Sequence, residues 1–183
     1  MINRGKNMKS IEKYEKQFKD LNVDKNGKNQ DSYNARGAPH KPILLLSLIK
    51  LYEDGKIDLS NINPKTALAR NSDLKELSTN LWRALDYERT FDIALPFYYM
   101  KDEDFWNIKL KDGFNSPIPN SKKNPTQKDL KERIDKVYFD NELVTLLNEK
   151  DKRERLKRAL LSGKDIEWFE NPNKRIFKDK MGL

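Results

Sequence analysis

The sequence predicts a mainly α domain of the α+β kind, a helical body with a small β-hairpin or winged-helix-like element. Three observations predict it. Apolar residues return at spacings of three and four in several separate blocks, which places them on single helix faces. The stretch "PILLLSLIKLY" is apolar nearly all round, as a central core helix is. One aromatic, β-prone passage, "FDIALPFYYMKDEDFWNIKLKDGF", breaks the helical pattern.

Met8, Ile11, Tyr14, Phe18 and Leu21 set out an amphipathic helix over residues 8–22, with lysines on its far face. The following "DKNGKNQDSYNARGAPHK" has no periodicity and reads as a long loop. Pro42 suits the first turn of the next helix, where no N–H is needed, and Gly55 suits its end. "KIDLS" alternates and fits a short strand. Asp73 and Glu76 give a capping-box-like start to a helix whose core face is Leu74, Leu77, Leu81, Trp82 and Leu85. Within residues 91–114 two β-prone runs flank the polar "KDED", so a hairpin is expected there, with Pro96 at an edge, a bulge or a strand start. Residues 115–128 form a Pro/Asn/Lys loop, and "DLKERIDKVYFDNELVTLLNEKDKRERLKRALLSG" reads as two or more helices. The last of these carries Lys152, Arg153, Arg155, Lys157 and Arg158, expected as a solvated face. The 163–183 tail offers Trp168 and Phe169 as docking residues.

At 183 residues the chain suits one domain, 1–183, with its motifs within about 8–162. Apolar and charged residues each make up 36%, but 8 Phe, 7 Tyr and 3 Trp gathered in periodic blocks favour folding over disorder. The absence of cysteine and of any secretory or spanning apolar stretch fits a cytoplasmic, reducing compartment and no membrane. Net charge is +8, and the basic excess at residues 1–41 and 121–160 flanks a slightly acidic middle. Such a surface draws polyanions, nucleic acid first, because each neutralised phosphate releases counterions.

The catalytic inventory is short. One histidine and no cysteine exclude a Cys/His zinc site and a Cys/His nucleophile pair. A Ser-His-Asp triad would have to use His40, which sits between two prolines without a nucleophile elbow. There is no glycine-rich phosphate loop and no dinucleotide fingerprint, so neither a cofactor, a metal nor a catalytic centre is expected. What remains is a basic domain with aromatics and rigid prolines, suited to reading a ligand.

Two motifs carry a resemblance. "RGAPHKPILLLSLIKLYEDGKI", followed some forty residues later by "IALPFYYMKDEDFWNI", resembles the sulfur-binding N-terminal domain of bacterial type IV HNH-type restriction endonucleases, which recognise phosphorothioate-modified DNA. The resemblance implies a defence module that docks on double-stranded DNA and takes the phosphorothioate sulfur into a shallow apolar cup. It also implies an HNH nuclease domain, in cis or trans, to do the cutting, so that this chain is either a fragment or a stand-alone reader. In the family a tyrosine-proline pair contributes to the cup; carried over, the pair falls on Leu95 and Pro96, with Tyr98 and Tyr99 nearby, leucine standing where some members have tyrosine. The physics of the cup is independent of the resemblance. Sulfur is larger and more weakly hydrated than oxygen, whereas a phosphate oxygen pressed on an apolar wall loses hydration at roughly 1–3 kcal/mol.

Candidate DNA contacts are Arg36, which suits guanine, His40 and Lys41 at the helix start, and Arg70 and Asn71 just before a predicted helix, a place suited to backbone phosphates. Two other classes stay open: a hydrolase or nuclease using His40 or dispersed acids, and a protein-interaction module docking through its aromatic hairpin.

Overall fold

The computed structural model describes residues 4–21, 39–85, 90–162, 179–180 and 182. Arg36, Trp168 and Phe169 lie outside the described residues. Within them the chain is mainly helical, with one small antiparallel sheet. Helix α1 spans Arg4–Lys19 and α2 His40–Glu53. A short α3, Pro64–Ala67, precedes α4, Asp73–Ala84. Then come α5, Ala94–Tyr99, with a 3₁₀ turn at Met100–Asp102, and strand β1, Trp106–Leu110. Helix α6, Gln127–Arg133, runs directly into strand β2, Ile134–Phe139, and α7, Asn141–Asn148, and α8, Lys150–Leu161, follow.

The apolar α2 is the centre, as its sequence predicts: every residue from Ile43 to Ile49 is buried, and α4, α5 and α8 pack around it. Even Ser47 is buried, its hydroxyl donating to the Ile43 carbonyl at 2.8 Å. Ile11, Tyr14 and Phe18 of α1, which packs on α7 and α8, are buried, as is Leu21 just beyond its end. Phe18 meets Phe105 edge-on at 5.2 Å, and Phe105 meets Phe139 at 5.9 Å, joining that helix to the sheet.

The expected hairpin within residues 91–114 is not what forms. Its first arm is α5, and β1 pairs with β2, more than twenty residues on, in the register Trp106↔Phe139 and Ile108↔Val137. The reason lies in the spacing: Ile93, Ala94, Phe97 and Met100 are buried together, a helical rather than a two-residue repeat. Pro96 falls in the first turn, where no intrahelical N–H bond is lost. Strand β2 in turn lies within the stretch that reads as two or more helices; Ile134, Val137 and Phe139 are all buried in the core. "KIDLS" forms no strand, its neighbour Ile62 making only an isolated bridge to Val137. The α4 cap is Ser72 rather than Asp73: its hydroxyl accepts from the Lys75 N–H at 3.2 Å and donates to the Ala67 carbonyl at 2.7 Å.

Candidate nucleic-acid interface

Helix α5 has two faces. Ala94, Pro96 and Phe97 turn inward, and the ring of Phe97 meets Trp106 edge-on at 5.3 Å. Leu95, Tyr98 and Tyr99, spaced three and four apart, share the other face; Leu95 and Tyr98 are half-buried and Tyr99 is 37% exposed. The two tyrosine rings pack edge-to-face at 5.0 Å, and the Lys101 ammonium lies 5.2 Å from the centre of Tyr98. Asp102 accepts from that ammonium at 2.8 Å and raises its pKa, so Lys101 stays cationic. The result is a small aromatic surface with the Lys101–Asp102 ion pair at its edge. Pro96, the residue that the resemblance places at the sulfur, is buried, so Leu95, Tyr98 and Tyr99 are what a ligand reaches.

The start of α2 is turned inward. The Lys41 ammonium donates to Glu103 at 2.6 Å, and Lys41 is 7% exposed. An ammonium held in that pair is not presented to a phosphate, contrary to the expectation for Lys41. The pair instead ties the first motif to the second across 62 residues, fixing the turn after α5 against α2. His40, half-buried, lies with its ring 4.6 Å from Trp82 and stacked 5.8 Å from Phe91. Its ring is part of an aromatic cluster at the α2–α4 corner.

Arg70 and Asn71 are placed in the turn ahead of α4, with Asn71 exposed and Arg70 open to solvent beside it. Sequence reasoning missed what lies beside them. Helix α3 packs on both α4 and α6, and Lys75 Nζ donates to Gln127 Oε1 at 3.1 Å, bringing the first turns of α4 and α6 together. Thr126 caps α6, accepting from the Asp129 N–H at 3.2 Å and donating to its carboxylate at 2.6 Å. The signal for this second cap, Thr126 three residues before Asp129, is legible in the chain.

A cavity of about 360 Å³ opens elsewhere, where α1, the sheet and the start of α7 meet. Tyr14 donates to Asp140 at 3.1 Å and lies 3.3 Å from Glu142, while Asn107 donates to the other Asp140 oxygen at 3.0 Å. Burial, then the two carboxylates, push the Tyr14 phenol well above its usual range, so it remains a donor. With two carboxylates against one lysine, Lys13, this lining repels phosphate.

Among the described residues no group of three or more histidine, aspartate or glutamate side chains is placed to hold a metal ion, and no helix is long and apolar enough to cross a membrane. No protein-family model matches the chain, and no curated protein matches it in sequence.

Proposed function

We propose that this chain is a reader of phosphorothioate-modified double-stranded DNA, the recognition half of a cytoplasmic type IV restriction system whose HNH nuclease is a separate domain. The observation that carries the reading is the outward face of α5: Leu95, Tyr98 and Tyr99 form a largely apolar surface, within a motif resembling the sulfur-binding domain. An apolar wall favours a weakly hydrated sulfur over a phosphate oxygen. Arg70 and Asn71 supply backbone contact at the α4 start, where the helix dipole favours phosphate.

Competition between matched duplexes, with and without one phosphorothioate in each stereochemical form, tests the reading at several salt concentrations. One stereoisomer should bind roughly ten to a hundred times more tightly than the unmodified duplex, equivalent to about 1–3 kcal/mol. Tyr99→Ala should erode that preference more than it lowers overall affinity. Equal binding of all duplexes would remove the sulfur claim, and absence of DNA binding at low salt would favour a protein partner for the exposed aromatic face.

A further inference from the structure

The densest cationic run in the sequence is α8, yet the structure places its charge elsewhere. Lys157 is fully buried between Glu53, at 3.2 Å, and Glu154, at 2.9 Å. Arg153 reaches Glu53 at 3.4 Å, Arg155 grips Glu15 through two nitrogens at 2.5 and 2.7 Å, and Lys152 pairs with Glu149 at 2.7 Å. A cation already neutralised by a neighbouring carboxylate releases few counterions on meeting a phosphate.

Unneutralised charge is present around the joint of α3, α4 and α6. Lys65, Arg70, Lys123 and Lys128 all reach solvent, and none makes an ion pair among the described residues. The acids of the same segments are partly spent: Asp129 is paired with Lys122 at 2.8 Å and Asp73 with Lys56 at 3.3 Å, leaving Glu76 and Glu132. The start of α4 adds the positive end of its dipole to the surface.

We infer that this joint is a second, mark-independent contact that follows the phosphate backbone of duplex DNA, carried by Lys65, Arg70, Lys123 and Lys128. It deepens the DNA reading above and rests on it only for the identity of the polyanion. The aromatic face of α5 discriminates between backbones, while the joint supplies attraction common to all of them. The two surfaces share no residue, and α6 packs against both α3 and α5.

The test is binding of an unmodified duplex and its phosphorothioate counterpart by the full chain, followed as a function of salt. A combined Lys65→Gln, Arg70→Gln, Lys123→Gln and Lys128→Gln variant should flatten the slope of log affinity against log salt by about 0.9 for each phosphate that the chain no longer neutralises. Its preference for the modified duplex should stay within about twofold of the unsubstituted chain. A Lys150→Gln, Arg158→Gln control, removing exposed charge from α8, should leave the slope nearly unchanged. An unchanged slope in the fourfold variant, with the mark still preferred, would overturn the joint and leave the reader standing. A flattened slope with no preference for the mark would support the joint and overturn the sulfur reading. If the unsubstituted chain binds neither duplex at low salt, both are wrong.

Discussion

Helix α8 and the α3–α4–α6 joint are both rich in lysine and arginine, yet they use them in opposite ways. On α8 Arg153, Arg155 and Lys157 pair with acids of α1, α2 and their own helix, and the charge of the buried Lys157 becomes internal cement. At the joint Lys65, Arg70, Lys123 and Lys128 reach solvent. The expected solvated face of α8 therefore holds for Arg158 and for Arg155, exposed although paired with Glu15, but not for the buried Lys157, with Lys152 and Arg153 partly covered. Charge density along a chain does not locate a polyanion surface. What locates it is the charge left over after tertiary pairing.

The largest effect that tests this contrast is Lys157→Ala, which empties a fully buried site and strips Glu53 of a principal partner. Burial pushes the Glu53 carboxyl up, but the hydrogen bond and charge of Lys157, with Arg153 and Lys50 beyond, outweigh it and hold the group below its usual range. Unfolding in urea should show a loss of about 2–4 kcal/mol, with the salt dependence of DNA binding by the folded fraction unchanged. If DNA binding weakened in proportion while stability held, α8 would be a docking face after all.

Next comes Asp129, whose carboxyl the Lys122 and Thr126 side chains hold below its ordinary value despite burial. A depressed carboxyl contributes fully above the unfolded pKa of about 4, and its contribution disappears as pH falls through the lower, folded value. Asp129→Asn should therefore cost about 1–2 kcal/mol at pH 7 and progressively less as acidification from about pH 4 protonates the native carboxyl. A stability gap that did not narrow in acid would show that the ionised form is not what anchors α6.

Removing the α4 cap has a smaller effect. Ser72→Ala should lower stability by about 1 kcal/mol and loosen the turn carrying Arg70 and Asn71, read as faster amide exchange there. Least of all, Lys128→Gln and Arg158→Gln should each change stability by less than about 0.5 kcal/mol. They should separate only in DNA affinity, where Lys128→Gln weakens binding and Arg158→Gln does not.

The helical elements are legible wherever one periodicity runs unopposed. The burial of Ile11, Tyr14, Phe18 and Leu21, the central place of α2, and Leu74, Leu81, Trp82 and Leu85 along the α4 segment all follow from spacing and apolarity. "IALPFYYM" reads as strand because aromatic, β-prone composition masks its helical spacing, although Pro96 in a first turn offends no hydrogen bond. "IDKVYF" misleads in the other direction, since its strand exists only because β1 and the backbone around Ile62 offer partners. Of the candidate site, Leu95, Tyr98 and Tyr99 fall on one face once α5 is helical, whereas no local pattern announces the inward turns of Lys41 and Pro96.

By itself the sequence determined that this chain is mainly helical, that one apolar helix forms its core, and that no cysteine is present to supply a thiolate. Tertiary structure alone decided which strands pair and which charges survive. Strand pairing and ion pairing join residues far apart in the chain, such as Lys41 with Glu103 and Arg155 with Glu15, and no local pattern encodes the partner. Helix spacing is written within a few residues of itself; the sign of a surface is written only after the chain has folded.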